Sequence, residues 1–391
     1  MKIKKFLNNS NNNLLNSFCL ESGTNVFKDH VPITTLKENN KKKVFYSYNI
    51  IDGYKYKIIV KRKKNNLNNT KFIISSLDHP YIVKLIHCCE YSSCYISVFE
   101  FFSDITLYSS VIFSTKYDER KIKNIIYQIF LTVNYLHSNN LFHKNLAPYS
   151  FLIKIVNNEV MIKLEDVYNI KALSTKLNSK MKSENIYSIG VISNNKKKKE
   201  KKKKEDTDKI YRNDLFYVHE NISHKGQSFL RRILLSDLSI YDFWKKNTFK
   251  RYILNNISKF MVKEDIYKYN FLFFYFDLLE EGSIKYEQYS STMKKLGLID
   301  ANVQESFNGL DVSERGQIQF SNIIACLLNN FIKIDKKVVF KFFKKVDYNN
   351  EGIITKKKLY KFYNITTKSD LSVNDKRKFN FEDFYSYISK E

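Results

Sequence analysis

The sequence predicts an α+β fold for the first two thirds of the chain and an all-α fold for the last third. Two β-rich runs, 44–48 and 54–60, are separated by Asp52-Gly53, which is typical of a hairpin turn. A later segment, 122–137, has apolar residues at helical spacing. Three glycines near the C-terminus recur 34 and 36 residues apart and indicate a repeat: Gly282, Gly316 and Gly352.

The composition allows two or three domains and argues against several classes of partner. The chain has 391 residues, of which 43% are hydrophobic, so each domain can have its own core. A net charge of +26 would ordinarily suggest a nucleic acid or an anionic membrane surface as partner. Here Lys, Asn, Ile, Tyr and Phe are enriched together and no nucleic-acid-binding motif is present. We attribute the charge to this compositional bias and expect no nucleic-acid partner.

Cysteine usage and terminal motifs indicate an intracellular location. The five cysteines form no Cys-x-x-Cys pair and are odd in number, which favours a reducing compartment. No apolar run approaches the length of a membrane span, and Lys2 after the initiating Met excludes an N-myristoylation motif. We expect a cytoplasmic protein, and the Lys-rich stretch 193–209 leaves a nuclear location open.

Four segments of the first two thirds carry motifs. Leu-Asp-His-Pro-Tyr-Ile-Val-Lys-Leu occupies 77–85, Val-Asn-Tyr-Leu-His occupies 133–137, and His-Lys-Asn-Leu-Ala-Pro-Tyr-Ser occupies 143–150. A predicted strand ends in Leu-Glu-Asp-Val-Tyr at 164–168. In this order they resemble the protein-kinase domain. The resemblance implies a bilobal fold, with a small β-rich N-lobe and a helical C-lobe, that transfers phosphate from ATP to proteins.

The catalytic loop of that family, His-Arg-Asp-Leu-Lys-Pro-x-Asn, is altered in this chain. Asn145 stands where the family has the Asp that accepts the substrate proton. Ser150 stands where the family has the Asn that holds Mg²⁺, and Ala147 replaces the Lys. An amide is a poor proton acceptor, and a hydroxyl substitutes poorly for an amide carbonyl as a metal ligand. We therefore predict that phosphoryl transfer has been lost.

Two residues keep the type that the resemblance implies for the nucleotide site. Lys61 matches the lysine that contacts ATP, and Asp166 matches the aspartate that binds its metal ion. The helix that should present a glutamate to Lys61 has Thr70 at that position. The glycine-rich loop falls at 36–44, with Lys37, Asn39 and Lys42 in place of the three glycines. The usual phosphate cradle needs glycine there, because a Cβ keeps the backbone N–H groups from the phosphates.

The C-terminal third contains loops with the EF-hand pattern. Each of the three glycines is the sixth residue of a 12-residue loop, with Ile at the eighth position, in 277–288, 311–322 and 347–358. A fourth unit, 379–384, has no glycine. The candidate calcium ligands are Asp277, Glu281, Asp311, Ser313, Asp347, Asn349 and Glu351.

The twelfth loop position weakens the prediction of calcium binding. A tight EF-hand needs a bidentate Glu there, and these loops have Gln288, Asn322 and Lys358. An ammonium group among the ligands repels the cation that they should hold. We expect weak or vestigial calcium sites, with the third loop as the best remaining candidate.

Residues 245–266 form a basic, amphipathic junction with an apolar face. The members of that face are Ile253, Ile257, Phe260 and Met261. Two interpretations stay open, namely a helix resembling a calmodulin target or autoinhibitory segment, and a helix packed on its own neighbours.

A kinase-like domain, a basic junction and four EF-hand-like units are the layout of the calcium-dependent protein kinases, which the chain resembles over 31–391. The expected boundaries are a disordered Asn-rich tail at 1–30, the kinase-like domain at 31–244 with its Lys-rich insertion at 193–209, the junction helix at 245–266 and the EF-hand domain at 267–391.

The resemblance implies a calcium-released Ser/Thr kinase, with ATP, Mg²⁺ and Ca²⁺ as candidate cofactors. The replaced residues argue against the binding of each of these three cofactors. We predict a catalytically inactive pseudokinase that acts on other proteins as a scaffold or allosteric partner. Two alternatives remain: a residual kinase that uses Asp166 with an unusual base, and a calcium-sensing adaptor.

Overall fold

An antiparallel sheet organises the N-terminal part of the chain. Its strands are β1 (His30–Asn39), β2 (Lys42–Asn49), β3 (Lys55–Arg62), β4 (Leu85–Glu90) and β5 (Cys94–Glu100), in the spatial order β1-β2-β3-β5-β4. The computed structural model describes residues 26–39, 42–62, 68–90, 94–113, 119–156, 159–172, 243, 245–261, 264–295, 300–328, 331–355, 357–359 and 378–389.

Helices and shorter strand pairs complete the described chain. The helices are α1 (Val26–Asp29), α2 (Asn68–Ser76), α3 (Leu107–Phe113), α4 (Glu119–Ser138), α5 (Thr248–Phe260), α6 (Asn270–Phe276), α7 (Tyr286–Lys295), α8 (Asp300–Leu310), α9 (Phe320–Leu327), α10 (Lys336–Val346) and α11 (Phe381–Ser389). The shorter strands pair as β6 (Leu141–His143) with β9 (Ile170–Ala172), β7 (Phe151–Val156) with β8 (Glu159–Leu164), β10 (Ile284–Lys285) with β11 (Gln317–Ile318), and β12 (Ile354–Thr355) with β13 (Lys378–Phe379). Short 3-10 helices lie at Pro148–Ser150, Val167–Asn169 and Glu264–Tyr269.

The predicted α+β fold is confirmed, since a lobe based on a β-sheet precedes a helical lobe and a helical C-terminal region. The predicted hairpin joins β2 to β3 through Asp52-Gly53. Gly53 has a φ of +73°, in the left-handed region that glycine tolerates, and its N–H donates to the Asn49 carbonyl at 2.8 Å. Within the stretch 36–44, residues 36–39 belong to β1 and 42–44 to β2, and the two strands pair antiparallel with Lys37 opposite Val44, after a register shift between Thr35 and Lys37.

The N-terminal boundary differs from the expectation. Residues 26–30, which we assigned to the disordered tail, form α1 and the first residue of β1. The Val26 side chain is buried in the core, and the His30 ring hydrogen bonds with the Ser47 hydroxyl on β2 at 3.1 Å. These contacts join the segment to the sheet, so apolar burial outweighs the Asn-rich character of the preceding residues.

Several predicted features lie outside the described residues. They are the tail at 1–25 and, within the kinase-like domain, residues 173–242 and 244, which include the Lys-rich insertion at 193–209. In the part of the chain that the structure does describe, every helix is too short or too polar to cross a membrane.

The sheet is buried on both faces. Alternate residues of β3 point to opposite sides, so that Ile58 belongs to one core cluster and its neighbour Ile59 to the other. On the side of Ile59 lie α2, α4 and the β7–β8 hairpin. On the side of Ile58 lie the helices of the C-terminal region, including residues such as Ile253 and Phe342. All seven residues of β5 are buried as a result.

Polar contacts also attach the C-terminal region to the sheet. Lys341 on α10 donates to the Asp52 carboxylate at 3.0 Å, and its ammonium group lies 3.9 Å from the centre of the Tyr56 ring. Lys345, one helical turn later, donates to the Ile86 carbonyl at 3.3 Å. Asp52 is almost completely buried, so its charge is neutralised where water does not reach it.

The loop after α6 docks against α4. The Tyr127 hydroxyl donates to the Glu280 carboxylate at 2.8 Å, and the Asn134 amide donates to the Glu280 carbonyl at 2.6 Å. Gly282 lies directly against the Tyr135 side chain, because a methyl group added at Gly282 would lie 2.9 Å from the Tyr135 Cβ and closer still to Cδ2 of its ring. The close approach therefore needs a residue without a side chain.

The junction helix packs inside the C-terminal region. α5 runs along α9 and also contacts α10 and α11. Ile253, Ile257, Phe260 and Met261, the predicted apolar face, are all buried. The segment thus packs on helices of the EF-hand-like region, an arrangement that both interpretations of the junction allow.

Replacing Gly282 by Ala tests the docking of this loop. Gly316 is the matched control, because its φ of +72° equals that of Gly282 within a degree and a methyl group added there would enter open space. Both Gly→Ala variants lose about 1 kcal/mol of unfolding free energy from the left-handed backbone. Only Gly282→Ala adds overpacking against Tyr135, about 1–3 kcal/mol. If urea unfolding gave equal losses of unfolding free energy for Gly282→Ala and Gly316→Ala, the loop would not dock tightly on α4.

The His79 imidazole lies at the boundary between the two parts of the molecule. The ring is buried, stacks on Tyr135 with centroids 4.8 Å apart, and meets Phe274 of α6 edge-on at 6.0 Å. Burial lowers its pKa to about 3, with the nearby Lys163 ammonium as a smaller contribution in the same direction. The folded protein therefore holds a neutral imidazole in this position.

Acid should destabilise the protein through His79. A pKa of about 3 in the folded state, against 6.5 in the unfolded state, means that stability is lost as the pH falls below 6.5. Between pH 7 and pH 5 the loss from this group is about 2 kcal/mol. In the variant His79→Phe, the unfolding free energy measured in urea should fall by about 2 kcal/mol less between pH 7 and pH 5 than in the natural protein. An unchanged difference between pH 7 and pH 5 would contradict the assignment.

Candidate functional site

The site is built where β3, α2 and the end of β8 meet. Lys61, near the end of β3, places its ammonium group 3.8 Å from the centre of the Tyr168 ring, a cation–π contact. Thr70 on α2, at the position of the missing glutamate, is buried and accepts a hydrogen bond from Lys171 at 3.3 Å. In this structure a lysine thus approaches the helix position that would carry a carboxylate in an active kinase.

Tyr168 is attached to the sheet by its hydroxyl. It donates to the Ser97 hydroxyl on β5 at 2.8 Å, and its ring meets the Phe99 ring edge-on at 6.2 Å. Burial raises the pKa of the phenol above its ordinary value, so the side chain stays neutral at physiological pH. An aromatic ring therefore lies against side chains of the adjacent strands β3 and β5, at the chain position where the family has a glycine.

Little room remains beside this ring. The cavity lined by Lys61, Thr70, Ser97, Tyr168 and their neighbours leaves about 20 Å³ for the centre of a water-sized sphere. A single water molecule needs about 10–15 Å³ by this measure. By this measure the cavity beside the ring has room for about one water molecule.

Two ion pairs connect the sheet to β8 and the residue after it. Lys57 on β3 pairs with Glu165, which lies next to Asp166. Lys163 on β8 pairs with Glu100 at the end of β5, and the side chains of both are at least 95% buried. The Glu100 carboxylate also accepts the Lys84 backbone N–H at 2.8 Å. In both pairs each charge has an opposite charge as its partner inside the protein. The two pairs therefore connect the sheet of the first lobe to β8 of the second.

The loop that corresponds to the catalytic loop bonds to itself. The Asn145 amide donates to the Tyr149 hydroxyl at 2.7 Å on the surface. Ser150 is buried, and its hydroxyl lies 3.4 Å from the Asn145 carbonyl. These contacts shape the loop, and neither residue offers a carboxylate to a substrate.

Asp166 lies at the start of the 3-10 helix after β8. Its carboxylate accepts a hydrogen bond from the Asn169 amide at 2.7 Å. Its carbonyl bonds with the His143 ring at 3.0 Å, which links the two segments that resemble kinase motifs. The structure thus brings Asp166 to the catalytic-loop segment and Lys61 to Tyr168.

The three loops of the C-terminal region share one geometry. The first residue of each loop is an aspartate whose carboxylate accepts the backbone N–H of the sixth residue, at 2.7, 2.6 and 2.8 Å in Asp277, Asp311 and Asp347. The fourth residue has a φ between 53° and 56°, and the glycine at the sixth position has a φ of 72° or 73°. The buried eighth residues form the short strand pairs, as Ile284 pairs with Ile318. Hydrogen bonds to backbone N–H groups thus shape all three turns.

The other predicted ligands bond within their own loops. Glu281 accepts a hydrogen bond from Lys285 at 2.7 Å, Ser313 donates to the Asp311 carboxylate at 3.1 Å, and Asn349 donates to Glu351. Among the described residues, no three His, Cys, Asp or Glu side chains are placed to hold a metal ion.

At the twelfth position, Gln288 and Asn322 turn towards the backbone. Their side-chain oxygens accept the N–H groups of the ninth residues at 3.0 and 2.7 Å. In the first loop, burial also raises the pKa of Asp277 to about 7. A carboxyl that is half protonated at neutral pH is a weak ligand for a hard cation.

Sequence reasoning missed three residues of the site, Tyr168, Lys57 and Glu165. The bulky aromatic residue at a glycine position was the available signal for Tyr168, because a ring there must occupy the space that a glycine leaves open. The pair of Lys57 and Glu165 had no signal, since lysines are abundant in this chain and the partners are 108 residues apart.

Comparison with known proteins adds a family relationship to this geometry. The model of the protein kinase domain matches residues 53–188. Over 83% of its length the chain is 24% identical to calcium-dependent protein kinase 6 of Plasmodium berghei, of which it spans 26%. It is 21% identical over 82% of its length to calcium-dependent protein kinase 3 of the same organism, and 23% identical over 84% to calcium-dependent protein kinase 21 of Arabidopsis thaliana. It spans 69% and 75% of these two relatives.

Glu100→Gln tests the buried ion pair. The variant leaves the Lys163 ammonium buried without its counter-charge, which should lower the unfolding free energy by about 3 kcal/mol. The control is Glu159→Gln, because Glu159 pairs with Arg120 on the surface and such pairs contribute less than about 1 kcal/mol. Similar losses for the two variants in urea unfolding would contradict a structural role for the buried pair.

Proposed function

Because the chain belongs to the calcium-dependent protein kinase family, we propose that it is a pseudokinase of that family. It acts through binding to other proteins, as a scaffold or allosteric partner, and does not transfer phosphate. The observation that carries the proposal is the Tyr168 ring, which lies against Lys61 and is held by Ser97.

The chemistry of the site supports a loss of each step of phosphoryl transfer. Binding of ATP is opposed by the Tyr168 ring, which occupies the position beside Lys61. Proton transfer is opposed at Asn145, whose amide donates to Tyr149. A preorganised charged site is what accelerates this reaction in kinases, and here the charges are paired within the protein.

We propose that the C-terminal loops are EF-hand units that do not bind calcium at cytosolic concentrations. Support comes from the twelfth positions, where Gln288 and Asn322 accept backbone N–H groups and Lys358 pairs with Asp347, in place of a bidentate glutamate. Without a calcium-dependent opening, the C-terminal region stays docked on the sheet through Lys341 and its neighbours. A fixed arrangement of two parts suits a protein that presents one surface to its partners.

Thermal unfolding with and without Mg-ATP tests the proposal. At ~1 mM nucleotide the melting temperature of the full chain should stay unchanged, because a protein that does not bind a ligand is not stabilised by it. Autophosphorylation and transfer to a generic protein substrate should be undetectable with radiolabelled ATP. Tyr168→Gly, which empties the space beside Lys61, should gain a nucleotide-dependent rise in melting temperature.

Tyr168→Phe is the matched control for that variant. It keeps the ring and loses only the hydrogen bond to Ser97, so it should remain as unresponsive to nucleotide as the natural chain. A nucleotide-dependent stabilisation of the natural chain together with phosphate transfer would favour the residual kinase. A stabilisation by micromolar calcium would favour the calcium-sensing adaptor.

A further inference from the structure

The Lys358 ammonium group lies inside the third loop of the C-terminal region. It donates to the Asp347 carboxylate at 2.6 Å and to the Ile353 carbonyl at 3.1 Å. It also lies 3.5 Å from the Glu351 carboxylate. An ammonium has three N–H donors, and three oxygens surround this one.

These oxygens belong to the first, fifth and seventh positions of the loop. In an EF-hand, oxygens from these same positions surround the calcium ion, and the twelfth position closes the site with a carboxylate. Lys358 is itself the twelfth residue. Its side chain therefore supplies a cation at the place to which a glutamate would supply an anion.

The ammonium is held in place by its surroundings. The Lys358 and Asp347 side chains are 11% and 7% exposed, so the contact is largely shielded from water and salt. The Lys358 backbone N–H donates a hydrogen bond to the Thr355 hydroxyl at 3.1 Å, and the next residue, Leu359, is completely buried. The stem of the lysine thus starts from a fixed helical turn beside the loop.

The third loop is distinguished from its two neighbours by this contact. Gln288 and Asn322 at the same position bond to the backbone of the ninth residue and leave the loop centre to other groups. Only a long side chain with a terminal charge can reach from the twelfth position to the first, fifth and seventh. Lysine has that length and that charge.

We propose that the third loop is a cation site whose ligand is the chain's own Lys358 ammonium. The site keeps the shape of a loaded EF-hand at any calcium concentration. Because α10 runs directly into the loop at Asp347, the filled site also fixes the helix that carries Lys341 and Lys345 onto the sheet.

A tethered cation has an advantage over a free one. The lysine is always present at a high effective concentration, whereas calcium must arrive from solution. Calcium would also have to displace the ammonium and then remain next to it, without a carboxylate at the twelfth position. The internal ligand therefore excludes the external one.

Lys358→Glu tests the assignment by exchanging the internal ligand for the missing carboxylate. The full-length variant should bind one more calcium ion per chain than the natural protein in isothermal titration with CaCl₂, with a dissociation constant of about 10⁻⁵ M or tighter. Lys357→Glu is the control, because Lys357 is exposed and adjacent, so that the same change in net charge should add no calcium ion. An equal number of bound ions in all three proteins would overturn the proposal.

Lys358→Met provides a second measurement that does not involve calcium. The variant keeps an apolar stem and removes the ammonium, so in EDTA its melting temperature should fall by about 2 °C or more. Lys357→Met should melt like the natural protein, and equal melting of the two variants would overturn the proposal. The proposal does not rest on the loss of phosphoryl transfer, so a nucleotide-binding chain would leave both tests unaffected.

Discussion

The burial of the N-terminal sheet on both faces is the constraint on which the rest of the structure depends. An antiparallel sheet commonly packs one face on a core and leaves the other face in water. Here Ile58 and Ile59, neighbours on β3, belong to two different cores, and β5 is buried along its whole length. The C-terminal helices therefore complete the N-terminal lobe. Releasing them would expose the apolar residues that β2, β3, β4 and β5 turn towards the C-terminal helices, which makes release costly.

This constraint gives the charged contacts at the interface their importance. Asp52 is covered by the C-terminal region and has Lys341 as its counter-ion. Separating the two parts would return both charges to water. The pair therefore determines the orientation of docking and contributes little net free energy to it. The apolar core supplies most of the attraction, Lys341 and Lys345 orient α10 on the sheet, and Glu280 fixes the loop after α6 on α4.

The sequence predicted local features well, because their signals are local. The Asp52-Gly53 hairpin, α4 and the turns at Gly282, Gly316 and Gly352 each follow from a short pattern of turn residues or apolar spacing. The replaced residues of the site were also visible in the sequence, since each is a single substitution in a known motif. The predicted roles of the candidate ligands, by contrast, depend on contacts that the motif alone does not define.

Contacts between residues that are far apart in the chain could not be predicted from the sequence. Tyr168 and Ser97 are 71 residues apart, and nothing in either segment indicates that a phenol on one meets a hydroxyl on the other. The docking of the C-terminal helices was missed for the same reason, because β3 alternates between two apolar faces and a sequence does not say what covers each face. The ordered segment 26–30 was missed because its few apolar residues gain their burial only from the sheet.

The loops of the C-terminal region have the shape of an ion site, and bonds within each loop form that shape without an ion. In each loop the first aspartate accepts the glycine N–H at the sixth position, and this bond forms the turn without a metal ion. A carboxylate that would bind calcium needs its negative charge reduced or compensated when calcium is absent, and the three loops achieve this differently. Asp277 has a raised pKa and so carries less negative charge, Asp311 has further N–H and O–H donors, and Asp347 has Lys358. In each loop the chain itself thus supplies what lowers or balances the charge of the first aspartate.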